Sequence, residues 1–193
     1  MSELVEWRLD GGYAVYVGRM PGWLADDVEL FERLWELRPA TYKEFMIHGR
    51  RVKQPRWQQA YGRDYHFSGT NNEALAIPEC LLEVQEWVRD EIDVRVNGLL
   101  LNWYDGAKGH YIGKHRDSIK DMVPDAPIVT LSFGETRTFR LRPWKGSGFV
   151  DVPVENGSVV VLPYAVNLAW THEVPKTARA VGRRVSVTLR SFM

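Results

Sequence analysis

The chain has 193 residues, 45% of them hydrophobic and 12% aromatic, which suits a packed core and excludes an intrinsically disordered chain. Lysine plus arginine and aspartate plus glutamate number 25 each, so no net field draws the whole molecule to a polyanion, and a nucleic-acid surface has to come from local clustering. A single cysteine, Cys80, excludes an internal disulfide and a multi-cysteine metal site. With an amino terminus unlike a signal peptide and no apolar run of the about 18 residues that cross a bilayer, we expect a cytoplasmic monomer with no membrane partner.

Residues 7–20 alternate around Gly11 and Gly12, which predicts a hairpin. Asp26 reads as a helix N-cap with Glu29 three residues on, and Leu30, Phe31, Leu34, Trp35 and Leu37 give the following helix an apolar face that ends at Pro39. Residues 42–47 and 51–61 read as strands around the turn His48-Gly49. Pro78 opens a second helix, with Leu81, Leu82, Val84, Trp87 and Val88 at helical spacing. From about residue 94 the helical signal disappears, and short strand-length runs follow at 96–103, 128–133, 138–141, 149–154, 158–162, 168–172 and 184–189. Many short strands between turn residues predict a mainly β sandwich or jelly roll with flanking helices. Residues 1–94 then form a layer of helix and hairpins on a β core at 95–193, not an autonomous domain.

His115 and Asp117 stand two residues apart, on one face if the backbone is extended. His172, later in the chain, completes a set of two histidines and one carboxylate, the facial triad that leaves positions of octahedral Fe(II) open for O2 and a co-substrate. In the run 184–190, Arg184, Ser186, Thr188 and Arg190 share the face opposite Val185, Val187 and Leu189. Two arginines on an inward face need anions, and a dicarboxylate co-substrate supplies them. Asn102 and Tyr104, on one face of the strand leading to the metal motif, add neutral donors. On spacing alone, histidines that merely line a strand and arginines on a solvated edge remain alternatives. There is no GxGxxG before a helix, no Walker sequence and no GxSxG elbow.

The ordered runs NGLLLNWYDGAKGHYIGKHRD, PIVTLSFGETRTFRLR, ENGSVVVLPYAVNLAWTHEVP and RRVSVTLR resemble the AlkB family of nucleic-acid dealkylating dioxygenases, closest to the branch with the human duplex-DNA repair member. The resemblance implies a double-stranded β-helix core, Fe(II) at His115, Asp117 and His172, and 2-oxoglutarate held by Asn102, Tyr104, Arg184, Thr188 and Arg190, with O2 as the oxidant. Upstream, HGRRVKQPRWQQAYGRDYHFSG resembles that branch's base-recognition hairpins. It implies alkylated DNA or RNA as partner, with His48, Arg50, Arg51, Tyr65, Phe67 and Ser68 as substrate contacts and Tyr65 and Phe67 as the stacking pair. Arg50, Arg51, Lys53 and Arg56 form a basic patch for phosphates, and Lys108, Lys114 and Arg116 a second. Two positions depart from the branch. Asp117 is followed by Ser118 and Ile119 where the branch has acidic residues, and His48 stands where an aromatic wedge is expected. A 2-oxoglutarate-dependent hydroxylase of a small-molecule or protein substrate is the alternative.

Overall fold

The structure is a computed structural model and describes residues 3–47, 50–67, 70–179 and 182–193. Strands β1 (Val5–Arg8) and β2 (Ala14–Arg19) form the expected hairpin, turned by Asp10–Gly12 with Gly11 at φ 77°. Helices α1 (Gly22–Ala25) and α2 (Val28–Glu36) follow. The cap of α2 is Asp27, not Asp26: its side chain accepts from the Leu30 N–H at 2.9 Å. The helix stops at Glu36, before Pro39, because the residue ahead of a proline disfavours helical backbone.

Next come the hairpin β3 (Glu44–Ile47) and β4 (Arg50–Lys53), then β5 (Trp57–Tyr61), β6 (Tyr65–Phe67), β7 (Thr70–Asn72), β8 (Ala74–Leu75) and helix α3 (Glu79–Glu91). The single strand expected over 51–61 is two strands, divided where Pro55 removes a ladder donor. The β-rich remainder contains β9 (Gly98–Asp105), β10 (Ile112–His115), β11 (Ile128–Gly134), β12 (Arg137–Pro143), β13 (Val150–Val154), β14 (Ser158–Leu162), α4 (Tyr164–Ala169), β15 (Trp170–Val174) and β16 (Arg183–Arg190). The strand expected over 168–172 starts two residues later, because Leu168 and Ala169 belong to α4.

An eight-stranded sheet runs in the order β1-β2-β14-β11-β16-β9-β5-β8 and faces a four-stranded sheet, β10-β15-β12-β13. This is the mainly β jelly roll with flanking helices that the strand pattern implied. Side-chain alternation divides the large sheet into two faces. Leu99, Leu101, Trp103, Val129, Leu131, Val185, Val187 and Leu189 join Leu30, Leu34, Leu81, Val84 and Val88 of α2 and α3 in one apolar cluster. Leu100, Val160 and Leu162 join Phe139, Leu141, Val152, Val154 and Trp170 in a second cluster between the sheets.

Full burial of one such side chain stabilises the fold by about 1.5–3 kcal/mol, and Leu34→Ala, at a position with no exposed surface, costs about 2–5 kcal/mol. Trp103 ties the layers together by donating its indole N–H to the Leu34 carbonyl at 2.7 Å, satisfying one of the open acceptors at the end of α2. Gly134, at φ 86° at the end of β11, has no room for a Cβ beside the Arg183 carbonyl. Among the described residues, no helix is long and apolar enough to cross a membrane.

Candidate iron and co-substrate site

β10 ends on His115, the chain turns through Arg116 to Asp117, and β15, the neighbour of β10, places His172 opposite His115 in register. The three side chains expected to bind metal therefore converge, with one ligand atom from each lying within 4.8 Å of the others. Asp117 Oδ1 is 3.5 Å from His115 Nε2 and 3.7 Å from His172 Nε2. Neighbouring ligands of one metal stand roughly 3 Å apart, so the donor set fits a single ion with two imidazoles and one carboxylate.

Surrounding groups fix each donor. His115 Nδ1 bonds the Gly113 carbonyl at 2.9 Å, which keeps the proton on Nδ1 and the Nε2 lone pair toward the centre. Phe139 stacks on the His172 ring at 5.3 Å. Burial and the neighbouring His115 push the His172 pKa down to about 3 against the pull of Asp117, so this imidazole is neutral and able to coordinate.

Burial alone would raise the carboxyl of Asp117, but Arg190, His115 and His172 hold it well below the usual carboxylate range. The loop carrying it is clamped by Asn167 of α4, which accepts from the Asp117 N–H at 2.9 Å and donates to the Asp117 carbonyl at 3.0 Å. Asn167 escaped the sequence reading because YAVNLA, a six-residue helix behind Pro163, is too short to show an amphipathic period.

The alternation of β16 does what the sequence implied, but on a central strand between β11 and β9. Arg184, Ser186, Thr188 and Arg190 all face the cleft that holds the metal donors, together with Asn102 and Tyr104 from β9. Arg184 is 2% exposed. One of its terminal nitrogens donates to Ser132 Oγ at 2.8 Å, whereas Nε and the other terminal nitrogen are buried without a partner. Burial lowers its pKa to about 10, with Tyr104 opposing, and the guanidinium stays charged. A buried cation with two unused donors is costly unless an anion arrives, and this one has Tyr104 and Ser132 beside it to share one.

Thr188 lies beside Thr130, with their hydroxyls 3.3 Å apart. Arg190 is engaged by Asp117 and lies 4.4 Å from the Tyr65 ring centre. Asn102 accepts at Oδ1 from Arg56 Nε at 2.7 Å and from Gln58 Nε2 at 3.2 Å. A guanidinium only donates, so the atom facing it must be the amide oxygen, and the Asn102 NH2 group is left for the cleft. Gln58, Asn102, Ser186 and Ser132 are register partners on β5, β9, β16 and β11, forming one polar row across the large sheet.

The expected substrate contacts fall differently. His48 and Ser68 lie outside the described residues, as does the Phe67 side chain. Arg50 and Arg51 are exposed on β4, with Arg51 3.9 Å from Glu44. Tyr65 is 3% exposed and donates its hydroxyl to Asp117 Oδ1 at 3.1 Å, so it stands against the candidate metal donors. Arg56 does not join the surface patch assigned to it: it is 4% exposed and lines the cleft. In the second patch, Arg116 bonds the Leu168 carbonyl and covers the Trp144 ring at 4.1 Å, and Lys108 sits over Trp57 at 4.6 Å.

Comparison with known proteins agrees with this geometry. The family model of the 2OG-Fe(II) oxygenase superfamily matches residues 22–190. The chain is 28% identical to the DNA oxidative demethylase ALKBH2 of Homo sapiens over 96% of this chain and 74% of that protein. It is 32% identical to the alpha-ketoglutarate-dependent dioxygenase alkB homolog 3 of Rattus norvegicus over 49% of this chain and 35% of that protein. The solved structure of OsALKBH1 superimposes with a TM-score of 0.61 at 15% identity, over 97% of this chain and all of that one, and so shares the fold. With the triad, the arginine-bearing strand and the family match in one place, the chain belongs to the 2OG-Fe(II) oxygenase superfamily, as a member of its AlkB family.

Proposed function

We propose that this protein is an Fe(II)- and 2-oxoglutarate-dependent dioxygenase that removes N-linked alkyl groups from nucleic-acid bases. The observation that carries the co-substrate half of this reading is Arg184, a sealed guanidinium with two unused donors in the same cleft as the His115, Asp117 and His172 donor set. His115, Asp117 and His172 would hold the iron. Arg184, with Tyr104 and Ser132, would take the far carboxylate of 2-oxoglutarate, and the Asn102 amide, Thr188 and Arg190 would border its remainder. When bound, iron with O2 and 2-oxoglutarate supplies the oxidation: an N-linked methyl becomes hydroxymethyl, 2-oxoglutarate becomes succinate and CO2, and the hydroxymethyl group leaves as formaldehyde, returning the proton to the base nitrogen.

The protein's own part is placement. Arg190 keeps Asp117 ionised and turned toward the histidines, His115 is fixed by Gly113, and Phe139 and Tyr65 wall the centre with apolar rings. A base inside a duplex cannot enter this cleft, so it arrives flipped out or on a single strand, and the hairpins β3–β4 and β6–β7, which lie outside the two main sheets, would meet it, with Arg50 and Arg51 toward phosphates. The similarity to ALKBH2, over 96% of the chain, supports the nucleic-acid substrate.

The test is formaldehyde and succinate measured together on methylated single- and double-stranded oligonucleotides, where equal yields of both are expected. Succinate without formaldehyde across the lesions would favour the second reading, a hydroxylase of a small molecule or protein side chain. That reading draws on Ser118 and Ile119, which place no acid beside Asp117.

A further inference from the structure

Arg56 sits on the short segment between β4 and β5, is 4% exposed, and lines the cleft with Tyr65, Asn102, His115 and Asp117. Its Nε is used, donating to Asn102 Oδ1. Its two terminal nitrogens have no acceptor among the described residues. They are not sealed off like those of Arg184, because they border the cleft.

The charges around that cleft are few enough to follow one by one. Among the described residues, its cations are Arg56, Arg184 and Arg190, and its carboxylates are Asp117 and Glu173. Asp117 is held by Arg190, and Glu173 by Arg142 at 2.8 Å. Once a co-substrate carboxylate meets Arg184, Arg56 is, among the described residues of the wall, the guanidinium with no carboxylate in salt-bridge contact, and both described carboxylates are already paired. The residues after Asp117 restore no negative charge: Ser118 accepts from the Lys120 N–H, and Ile119 is 41% exposed.

Such a wall discriminates between alkylated bases in two ways. A positively charged ring is repelled at short range in a dry pocket. A guanidinium only donates hydrogen bonds, so the edge that satisfies it carries acceptors. N3-alkylated thymine or uracil is neutral and flanks its alkyl group with two carbonyl oxygens, and N1-alkylated guanine is neutral with one. N1-alkylated adenine flanks the alkyl group with an exocyclic amino group and a C–H, and N3-alkylated cytosine with an amino group and one carbonyl, and both carry ring charge.

Resting on the nucleic-acid reading above, we propose that Arg56 reads the target base and gives this site a preference for neutral, carbonyl-bearing N-alkylated bases over cationic ones.

The experiment compares kcat/KM of the iron-loaded enzyme on one single-stranded oligonucleotide carrying N3-methylthymine, N1-methylguanine, N3-methylcytosine or N1-methyladenine. Anisotropy binding of the same four to Mn(II)- and 2-oxoglutarate-loaded protein gives a readout independent of turnover. The neutral pair is expected to exceed the cationic pair by about tenfold or more, the scale of one buried charge-assisted contact. Arg56→Gln should reduce that ratio by about tenfold, mainly through gain on the cationic pair, while Arg56→Lys keeps it within about threefold. The 2-oxoglutarate KM of Arg56→Gln should change by less than about threefold, because Gln58 still holds Asn102. A wild-type preference for the cationic pair overturns the proposal and leaves the demethylase reading standing, with no variant needed to fold. A tenfold rise in 2-oxoglutarate KM with an unchanged lesion ratio assigns Arg56 to the co-substrate and also overturns it. Formaldehyde from none of the four, with 2-oxoglutarate still consumed, removes the nucleic-acid reading itself and this proposal with it.

Discussion

Arg190 donates twice to one oxygen of Asp117, from Nε at 3.1 Å and from a terminal nitrogen at 2.5 Å, so that oxygen is occupied and the other is turned to His115 and His172. Both partners are 3% exposed at the side chain, which makes the pair a buried one whose charges depend on each other.

Arg190→Met is therefore expected to leave an uncompensated carboxylate in the interior and to lower the stability of the metal-free protein by about 3–5 kcal/mol. Denaturant unfolding with and without Mn(II) measures this, and metal should recover a larger share in the variant than in the wild type. Equal stability of variant and wild type without metal would show that Asp117 does not need this cation.

Arg184 predicts an opposition between stability and binding. Its two unpartnered buried nitrogens oppose folding of the co-substrate-free protein, so Arg184→Met should leave thermal stability unchanged or raised. The same change should weaken 2-oxoglutarate binding by about a hundredfold, the loss of two hydrogen bonds to a charged group. Calorimetric titration of 2-oxoglutarate into Mn(II)-loaded protein and a thermal melt decide both halves, and an unchanged affinity would remove Arg184 from the co-substrate site.

Asn167 is expected to act on the metal without touching it. With both of its bonds to the Asp117 backbone removed, Asn167→Ala should weaken Mn(II) or Fe(II) binding by about 10- to 100-fold and cost about 1–3 kcal/mol of stability. Asn167→Asp, which keeps the acceptor for the Asp117 N–H and loses the donor, should fall between. Metal titration of the three proteins gives the order, and wild-type affinity in Asn167→Ala would show that the loop holds itself.

The metal-free protein should lose stability as pH falls below 6.5. The pKa of His172 is depressed in the fold to about 3, and burial also lowers His110. Below the ordinary histidine value the unfolded chain takes protons that the folded chain refuses, so stability is full above about 6.5 and declines toward the folded pKa. His172, whose folded value lies far below, gives a slope of about 1.4 kcal/mol per pH unit, and His110 adds in the same direction. Urea unfolding of chelator-treated protein between pH 7.5 and 5 should show the decline, and His172→Gln should remove about one proton's share. An identical slope in that variant would mean that His172 is already protonated in the fold.

The convergence of His115, Asp117 and His172 was legible in part: HRD sets two of them by short-range spacing, whereas His172 is brought in by the pairing of β15 with β10. The arginine face of β16 was legible from short-range spacing too, since alternation in a strand is written directly in the residues. Arg56 was not legible. In sequence it stands among Arg50, Arg51 and Lys53 and looks like one more surface charge, and only the break at Pro55 and the pairing of β5 with β9 turn it inward. The cap of α2 was misplaced by one residue because Asp26 and Asp27 are adjacent and either satisfies the pattern. Asn167 depended on a packing relation, α4 against the Asp117 loop, that no local pattern encodes.

β16 carries two alphabets on one backbone, valine and leucine toward the helices and arginine, serine and threonine toward the cleft. A slip of one residue would drive both guanidinium groups into oil and line the oxidising chamber with aliphatic side chains. Such a misthreaded strand could neither pack nor assemble a working centre. The alternation thus acts as a proofreader, tying the capacity to activate oxygen to correct threading of the sheet.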